Sequence, residues 1–246
     1  MAIHDARSQR LYVDADLGEG RAVATNEAQA NYLLRVLRLG DDDRLLIFNG
    51  RDGEWQAEIR GAAKRGCNLV PLAQTRAQSI GPDVHYLFAP LKRSRLDYMV
   101  QKAVELGVAR LQPVLTRRTT PERVNVERMR ANAIEAAEQC GVLHLTEIAE
   151  PVKLEAVLAG WDPARRLIFC DEAAAIADPV QALSPLRGLP VALLIGPEGG
   201  FDRQERALLL SKSYVTAISL GPRVMRADTA AVAGLALVNA TIGDWR

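Results

Sequence analysis

The sequence predicts an α/β protein in two parts, a small β-rich domain followed by a larger domain built on a mostly parallel sheet. Residues 10–74 read as several short strands with one helix, which is typical of a small β-barrel. From residue 84 onward, apolar strands alternate with helices, and this order predicts a parallel sheet. A polar stretch at residues 74–82 separates the two patterns, so the domains are expected at 1–74 and 75–246.

The first part contains one clear helix and one clear turn. Thr25 or Asn26 can cap a helix from about Glu27 to Leu39, with Gly40 as the residue just after its end. Residues 49–53, Asn-Gly-Arg-Asp-Gly, form a strong hairpin turn. Strands are expected at residues 10–13, around 45–47, at 54–60 and at 67–74.

The second part alternates strands and helices to its end. Strands are expected at residues 84–89, 111–115, 167–170, 191–195 and 215–220, and helices at 94–106, 125–140, 203–210 and 228–242. Ser94 can cap the first of these helices, and Asp202 with Glu205 has the spacing of a capping box. The last helix is apolar nearly all round, which predicts burial on more than one side and a subunit interface for its second face.

Composition excludes several classes of protein. The chain has 246 residues, 48% of them hydrophobic, and a net charge of +1. No apolar run reaches the ~18 residues of a membrane span, and the first residues lack the apolar core of a signal peptide. Three distant cysteines and three histidines without ligand spacing predict neither disulfides nor a metal site. A cytoplasmic protein without metal or membrane contact is therefore expected.

The positive charge is concentrated in one segment. Residues 92–130 hold ten Arg and Lys against four acidic residues. This excess is consistent with a phosphate-facing surface. It is equally consistent with solvated helix faces, so charge alone leaves both interpretations open.

Two strands near the end of the chain each finish in a Gly-Pro loop. Residues 195–201 read Ile-Gly-Pro-Glu-Gly-Gly-Phe, and residues 220–223 read Leu-Gly-Pro-Arg. Ligands of open α/β sheets bind outside the carboxyl ends of the strands, so the two loops can share a pocket. The phosphate-binding glycine fingerprints are missing, which favours a ligand poor in phosphate. Tight turns without a ligand would account for one such loop more easily than for two.

No nucleophile and base stand at a catalytic spacing in this sequence. A reaction in the pocket would therefore depend on positioning and electrostatics rather than on a covalent intermediate.

Motifs along most of the chain resemble one family. The two Gly-Pro loops, with Glu205 and with Val-Met-Arg-Ala-Asp-Thr-Ala at 224–230, are similar to those of the RsmE family of SPOUT-superfamily methyltransferases. Matching motifs occur, in order, at 36–38, 49–50, 91–95, 101–108, 113–117 and 135–140. The chain departs from the family pattern at Asn31, Val142, Thr146 and Asp228.

The resemblance implies a fold, a cofactor and partners. It implies a PUA-like β-barrel that helps to bind RNA, followed by a SPOUT domain with a trefoil knot. It also implies S-adenosylmethionine as cofactor, a homodimer, and methylation of uridine N3 in 16S ribosomal RNA, free or in the assembled small subunit. The implied cofactor-binding residues are Cys170, Glu172, Ile195, Gly196, Gly200, Leu220, Gly221, Val224 and Met225.

The resemblance also implies roles for charged residues. Arg226 would stabilise negative charge developing on the uridine. Asp228 could orient Arg226, accept the proton, or simply cap the following helix. The residues expected to bind RNA are Arg35, Arg38, Lys92, Arg95, Lys102, Arg117 and Arg118.

Two other functions are compatible with parts of this pattern. A related SPOUT enzyme could methylate a ribose 2′-hydroxyl of transfer RNA, although those families carry a Ser-Leu-Asn type of final motif. A non-catalytic RNA-binding module would also use a β-barrel and a basic segment.

Overall fold

The computed structural model describes residues 9–119, 123–174 and 178–245, which form two compact units. The first unit comprises the described residues up to Ile80 together with residues 137–145. The second comprises residues 81–136 and those from 146 onward. Residues 137–145 thus pack in the first unit although they follow the chain of the second, while the domain division after residue 74 stays a prediction.

A five-stranded sheet forms the first unit, with strand order β1-β3-β4-β5-β2. Strands β1 and β3 are parallel and the other neighbours are antiparallel. Buried residues such as Leu33, Ile47 and Ile59 form its core. The elements are β1 (Arg10–Tyr12), β2 (Val23–Ala24), α1 (Glu27–Asn31), β3 (Arg44–Phe48), β4 (Glu54–Ala63) and β5 (Gly66–Arg76).

The helix of this unit ends earlier than its sequence predicts. Asn26 caps α1 in a capping box, as expected, but residues 32–36 continue it as a π-helical turn. Arg38, with φ of 59°, rather than Gly40, has the left-handed conformation. The wider turn lets Leu33 enter the core while Leu37 and three neighbouring side chains of this segment, those of Tyr32, Leu34 and Leu39, pack against the same cluster. A regular helix would spread these apolar residues over several faces.

A buried carboxylate with two arginines lies inside the first unit. Glu54 accepts hydrogen bonds from Nε of Arg10 at 2.8 Å and Nη2 of Arg76 at 2.6 Å. Arg10 also donates to the carbonyl of Ala137 at 2.5 Å, and Arg76 donates to that of Gly141 at 3.0 Å. Through these hydrogen bonds, Arg10 and Arg76 connect the segment 137–145 to the five-stranded sheet. Nothing in the sequence pattern marked Glu54 as buried.

We expect Glu54→Ala to destabilise the first unit by about 3–5 kcal/mol, because Arg10 would remain as a buried and uncompensated charge. Burial acts to raise the pKa of Glu54, but hydrogen bonds and charge from Arg76 and Arg10 outweigh it and lower the pKa to about 2. A lowered folded-state pKa contributes stability above the unfolded-state pKa, near ~4.5, and this contribution disappears as the pH falls toward 2.

Hydrogen exchange of peptides from residues 44–76 would measure this effect. The matched variant is Asp16→Ala in the same unit, whose carboxylate and two partner arginines, Arg21 and Arg51, are all more than half exposed and which we expect to cost less than about 1 kcal/mol. Two results would contradict this role of Glu54. One is equal protection from hydrogen exchange in the two variants, and the other is a stability of Glu54→Ala that falls with pH as steeply as that of the wild type.

A parallel sheet forms the second unit, with strand order β12-β10-β11-β6-β7-β8 and β9 paired to β7. All its recorded pairings are parallel, as predicted. The elements are β6 (Val84–Phe88), α2 (Arg93–Glu105), β7 (Arg110–Leu115), α3 (Val126–Cys140, whose last turn belongs to the first unit), β8 (Glu147–Ile148), β9 (Val152–Lys153), α4 (Leu154–Ala159), β10 (Arg166–Cys170), α5 (Pro179–Leu183), β11 (Val191–Ile195), α6 (Arg203–Leu210), β12 (Val215–Ile218) and α7 (Ala227–Thr241).

Helix ends in this unit confirm one predicted cap and correct another. Asp202 and Glu205 form the expected capping box of α6. Ser94, however, lies inside α2, whose N-cap is Lys92 with no side-chain hydrogen bond. Sequence reasoning missed the short elements β8, β9, α4 and α5, which lack a full period of apolar residues. Thr146, one of the departures from the family pattern, is buried and donates to the carbonyl of Val108 at 2.8 Å.

Within the described ranges, no helix is long and apolar enough to cross a membrane. The cysteines Cys67, Cys140 and Cys170 lie within the same ranges, and no disulfide bond joins any two of them.

Candidate active site

A cleft of about 680 Å³ opens at the carboxyl ends of the neighbouring strands β10, β11 and β12. Parallel strands bring these ends to one edge of the sheet, which is where an α/β protein binds its ligand. All nine residues implied as cofactor-binding line this cleft, and so does Arg226. The two Gly-Pro loops therefore share one pocket, as their positions in the sequence predicted.

The loop between β11 and α6 leaves no room for side chains at two glycines. A Cβ on Gly196 would overlap the ring of Phe201, which packs edge-on against Phe169 with centroids 5.2 Å apart. Gly200 has a φ of 68°, and a Cβ there would meet Oε1 of Glu172 at 2.7 Å. Gly196 is thus required by close approach and Gly200 by its positive φ, since the exposed Glu172 side chain could move aside.

The loop after β12 is open toward the cleft. Gly221 has a φ of 111°, and nothing lies within 4 Å of where its Cβ would stand. Its N–H is held by Oγ of Ser219 at 3.2 Å. Val224 is 85% exposed. A glycine kept in a strained conformation beside open space fits a loop whose backbone contacts a ligand.

Asp171 was not singled out by the sequence, although it directly follows β10 and lines the cleft. The carboxylate is buried and accepts hydrogen bonds from Nε of Arg206 at 2.9 and 3.1 Å. Its N–H bonds to the carbonyl of Ile218, which ties the end of β10 to the end of β12. The signal available in the sequence was its place between Cys170 and Glu172.

Cys170 cannot act as a nucleophile at neutral pH. Burial raises the pKa of its thiol to about 12, so the reactive thiolate is negligible.

Arg226 and Asp228 occupy different environments at the start of α7. Arg226 is the N-cap residue, is exposed, and has no ion-pair partner among the described residues. Asp228 lies in the first turn, is half-buried, and accepts a hydrogen bond from the N–H of Thr229 at 2.9 Å. Asp228 is therefore not the helix N-cap, which corrects one of the three roles considered for it.

Three arginines expected to bind RNA contact the β11–α6 loop and the start of α6, and their RNA contacts stay a prediction. Arg95 forms an ion pair with Glu198. Arg118 donates through Nη1 to the carbonyl of Gly199 at 2.7 Å. Arg117 donates to Oδ1 of Asp202 at 3.1 Å, and its N–H bonds to Glu205 at 2.8 Å. These contacts hold the loop that forms one wall of the cleft, so positioning is a role that sequence reasoning missed.

We expect Arg118→Ala to weaken S-adenosylmethionine binding about three- to tenfold. A charge-assisted hydrogen bond contributes about 1.5–3 kcal/mol at most, and only part of the loss at this exposed position reaches the cofactor through the loop. Calorimetry with the cofactor alone would measure it. Arg110→Ala, which removes an exposed pair with Glu147 away from the loop, is the matched control. An RNA-only role would instead leave cofactor affinity unchanged and weaken only RNA binding.

The other residues expected to bind RNA are not among those that line the cleft. Lys92 is the exposed N-cap of α2, and Lys102 lies on that helix, paired with Glu105 at 2.7 Å. Arg35 and Arg38 follow α1 in the first unit. Their RNA contacts stay a prediction.

The cleft combines loop backbone and apolar side chains with charged groups. The charged residues that line it are Arg95, Arg206, Arg223, Arg226, Asp171, Glu172 and Glu198, and its volume lies within the usual range for a small-molecule site. In the part of the chain that the structure describes, no three His, Cys, Asp or Glu residues converge to hold a metal ion. His4 lies outside the described residues.

Comparison with known proteins matches both parts of the chain. The model of the RNA methyltransferase domain matches residues 79–239, and that of the RNA methyltransferase PUA domain matches residues 25–72.

Two curated relatives and one solved structure illustrate the similarity. Proteins named ribosomal RNA small subunit methyltransferase E are 28% identical over 235 residues in Rickettsia conorii (93% of this chain, 94% of the relative) and 30% identical over 231 residues in Synechocystis (89% and 73%). The structure of a putative methyltransferase from Legionella pneumophila, solved with bound S-adenosylmethionine, is 28% identical, with a TM-score of 0.85 and coverage of 97% and 99%.

Proposed function

Because the chain belongs to the RNA methyltransferase domain family, we propose that it methylates N3 of a uridine in 16S ribosomal RNA, using S-adenosylmethionine. The carrying observation is the single cleft that joins both Gly-Pro loops and Arg226 at the edge of a parallel sheet. The relatives' shared name supports small-subunit ribosomal RNA as the substrate. The N3 position is what the resemblance of the motifs at 195–201 and 220–230 to the RsmE family implies.

The cleft residues hold the cofactor in this proposal. Backbone of the loops at Ile195–Gly200 and Leu220–Met225 forms the walls, and Cys170 with Glu172 forms the third side. When bound, S-adenosylmethionine supplies a methyl group on a positively charged sulfur. The Legionella structure, which contains this molecule in a similar fold, supports the assignment.

Arg226 stabilises the reacting form of the uridine. N3 of uridine carries a proton at neutral pH, which is released to solvent, so the attacking form is an anion with charge spread over the neighbouring carbonyls. An exposed guanidinium without an internal partner is available to donate hydrogen bonds to that charge.

Asp228 acts through the helix rather than through an ion pair with Arg226. No hydrogen bond or ion pair joins the two among the described residues, and the carboxylate bonds to the backbone of its own turn. A carboxylate in the first turn of a helix interacts favourably with the helix dipole. We therefore assign Asp228 to fixing the first turn of α7, and with it the backbone that carries Arg226.

Nucleoside analysis of 16S ribosomal RNA tests the proposal. A strain lacking this chain should lose 3-methyluridine from that RNA, and the purified protein with S-adenosylmethionine should restore it. Offering naked RNA and assembled small subunits separately would identify which one is the substrate. Undiminished 3-methyluridine in the deletion strain would overturn the assignment.

The two alternatives make different predictions. Methylation of a transfer-RNA ribose would leave 3-methyluridine unchanged and alter 2′-O-methylated nucleosides, and the Leu-Gly-Pro-Arg-Val-Met-Arg motif argues against it. A non-catalytic RNA-binding module would not bind S-adenosylmethionine in calorimetry.

We also propose a homodimer, a trefoil knot and a cytoplasmic location. On α7, a half-exposed apolar stripe of Val232, Ala233, Ala236 and Leu237 lies beside the face that packs on α2 and β11, and a second copy would bury it. Sedimentation equilibrium tests this, and Leu237→Lys should shift the protein toward monomer.

A further inference from the structure

A second cleft, of about 500 Å³, lies between the first turns of α2 and α3 in the second unit. Its floor is apolar and buried, formed by Leu91, Leu96 and Met129. Its other lining residues are polar or charged and lie around the rim. They are Lys92, Arg93, Asp97, Arg123, Asn125 and Arg128.

The rim carries four cations against one carboxylate. Lys92, Arg93 and Arg123 are exposed, and none has an ion-pair partner within the described ranges. Arg128 is the only paired cation, bound to Asp97. A concave surface with uncompensated positive charge attracts anions, and phosphates above all.

Asp97 holds Arg128 in one orientation. Nε of Arg128 donates to the carboxylate at 2.8 and 3.1 Å, and Nη2 donates at 2.5 Å. Asn132 donates to the same carboxylate at 2.8 Å. Because these bonds use Nε and Nη2, Nη1 of Arg128 keeps its N–H groups for a ligand, and Asp97 acts as a positioning residue.

The start of α2 is built unfavourably for a helix without an anion nearby. Its N-cap, Lys92, provides no side-chain acceptor, and its first turn contains Arg93 and no acidic residue. Positive side chains at the positive end of a helix dipole are destabilising, and the first N–H groups lack an acceptor. A bound phosphate would neutralise the positive charge at the start of the helix and would also accept hydrogen bonds from its first N–H groups.

We propose that this cleft binds the phosphodiester backbone of the RNA substrate, with Arg93, Arg123 and Arg128 as the phosphate ligands beside Lys92. The inference rests on the proposed function and adds a binding surface distinct from the cofactor cleft. A strand is favoured over a small anion because the cations are spread along an open rim. The apolar floor suits a sugar or a base between successive phosphates.

Salt-dependent RNA binding tests the proposal. Arg93→Gln and Arg123→Gln should each weaken binding of a 16S ribosomal RNA fragment about fivefold and reduce the slope of log K against log salt by about 0.7–0.9. The matched control is Arg130→Gln on α3, an exposed arginine paired with Glu127 outside the cleft. We expect it to stay within about twofold of the wild type, with an unchanged slope.

Two further measurements distinguish a failure of the proposed function from a failure of the phosphate site alone. Calorimetry with S-adenosylmethionine should give the wild-type affinity in all three variants, which confirms that the second unit is folded. If the wild type neither binds nor methylates the RNA, the proposed function fails. If the wild type does both, and Arg93→Gln and Arg123→Gln match Arg130→Gln, the phosphate site alone is overturned. If millimolar inorganic phosphate abolished RNA binding, and the variants kept the wild-type slope of log K against log salt, the cleft would be a site for a small anion and the proposal would be overturned.

Discussion

Arg226→Ala should reduce the rate of RNA methylation about 100-fold or more while changing S-adenosylmethionine affinity less than about threefold. We expect the rate to fall much more than the cofactor affinity because of the position of Arg226. It is exposed at the cleft and has no internal partner among the described residues. Removing it therefore breaks no contact that holds the fold. What is lost is the donor that stabilises charge appearing only in the transition state.

Single-turnover kinetics and calorimetry would measure the two quantities on the same protein. Arg223→Ala is the matched control, since Arg223 is an exposed arginine of the same loop that also lines the cleft. Raising the pH provides a second readout, because the uridine loses its proton without help at high pH. The rate defect of Arg226→Ala should shrink as the pH rises, and an equal loss of rate and cofactor affinity would exclude the catalytic role.

Gly196→Ala should abolish tight cofactor binding and destabilise the second unit by about 1–3 kcal/mol. The new methyl group would overlap the Phe201 ring, which is packed against Phe169 in the core. The ring cannot retreat without opening that core, so the loop must move. A moved loop no longer lines the cleft between Glu172 and Leu220.

Two variants control for general damage. Gly160→Ala places its methyl group no closer than 3.7 Å to a backbone oxygen and should be nearly neutral. Phe201→Leu removes the clashing ring, so the double variant should bind the cofactor better than Gly196→Ala alone, as a double-mutant cycle would show. Strictly additive losses would mean that the clash is not the cause.

Strand and helix periodicity was sufficient for the frame of the second unit. The apolar runs at 84–89 and 191–195 became neighbouring parallel strands, because buried strands are marked by continuous apolar residues. The cleft was predictable for the same reason, since both Gly-Pro loops follow such strands. Short elements such as β8 and α4 have too few residues to show a period.

Long-range pairing was beyond the reach of local patterns. Glu54 reads as one polar residue of an alternating strand, and its burial depends on Arg10 and Arg76, which are 44 and 22 residues away. Arg118 reads as part of a basic surface, yet it bonds to a carbonyl 81 positions later. Charge patterns reveal that a residue is ionised, but not which partner the fold brings to it.

The contacts of the β11–α6 loop determine when the cofactor site can form during synthesis of the chain. Arg95 and Glu198 are 103 positions apart, and Arg117 and Glu205 are 88 apart. Contacts of such high sequence separation form slowly, because long segments must be closed first. A chain emerging from the ribosome completes α2 and β7 long before the loop they support exists. The enzyme therefore acquires its cofactor only after synthesis of nearly the whole chain, and a truncated chain ending before residue 195 would hold none.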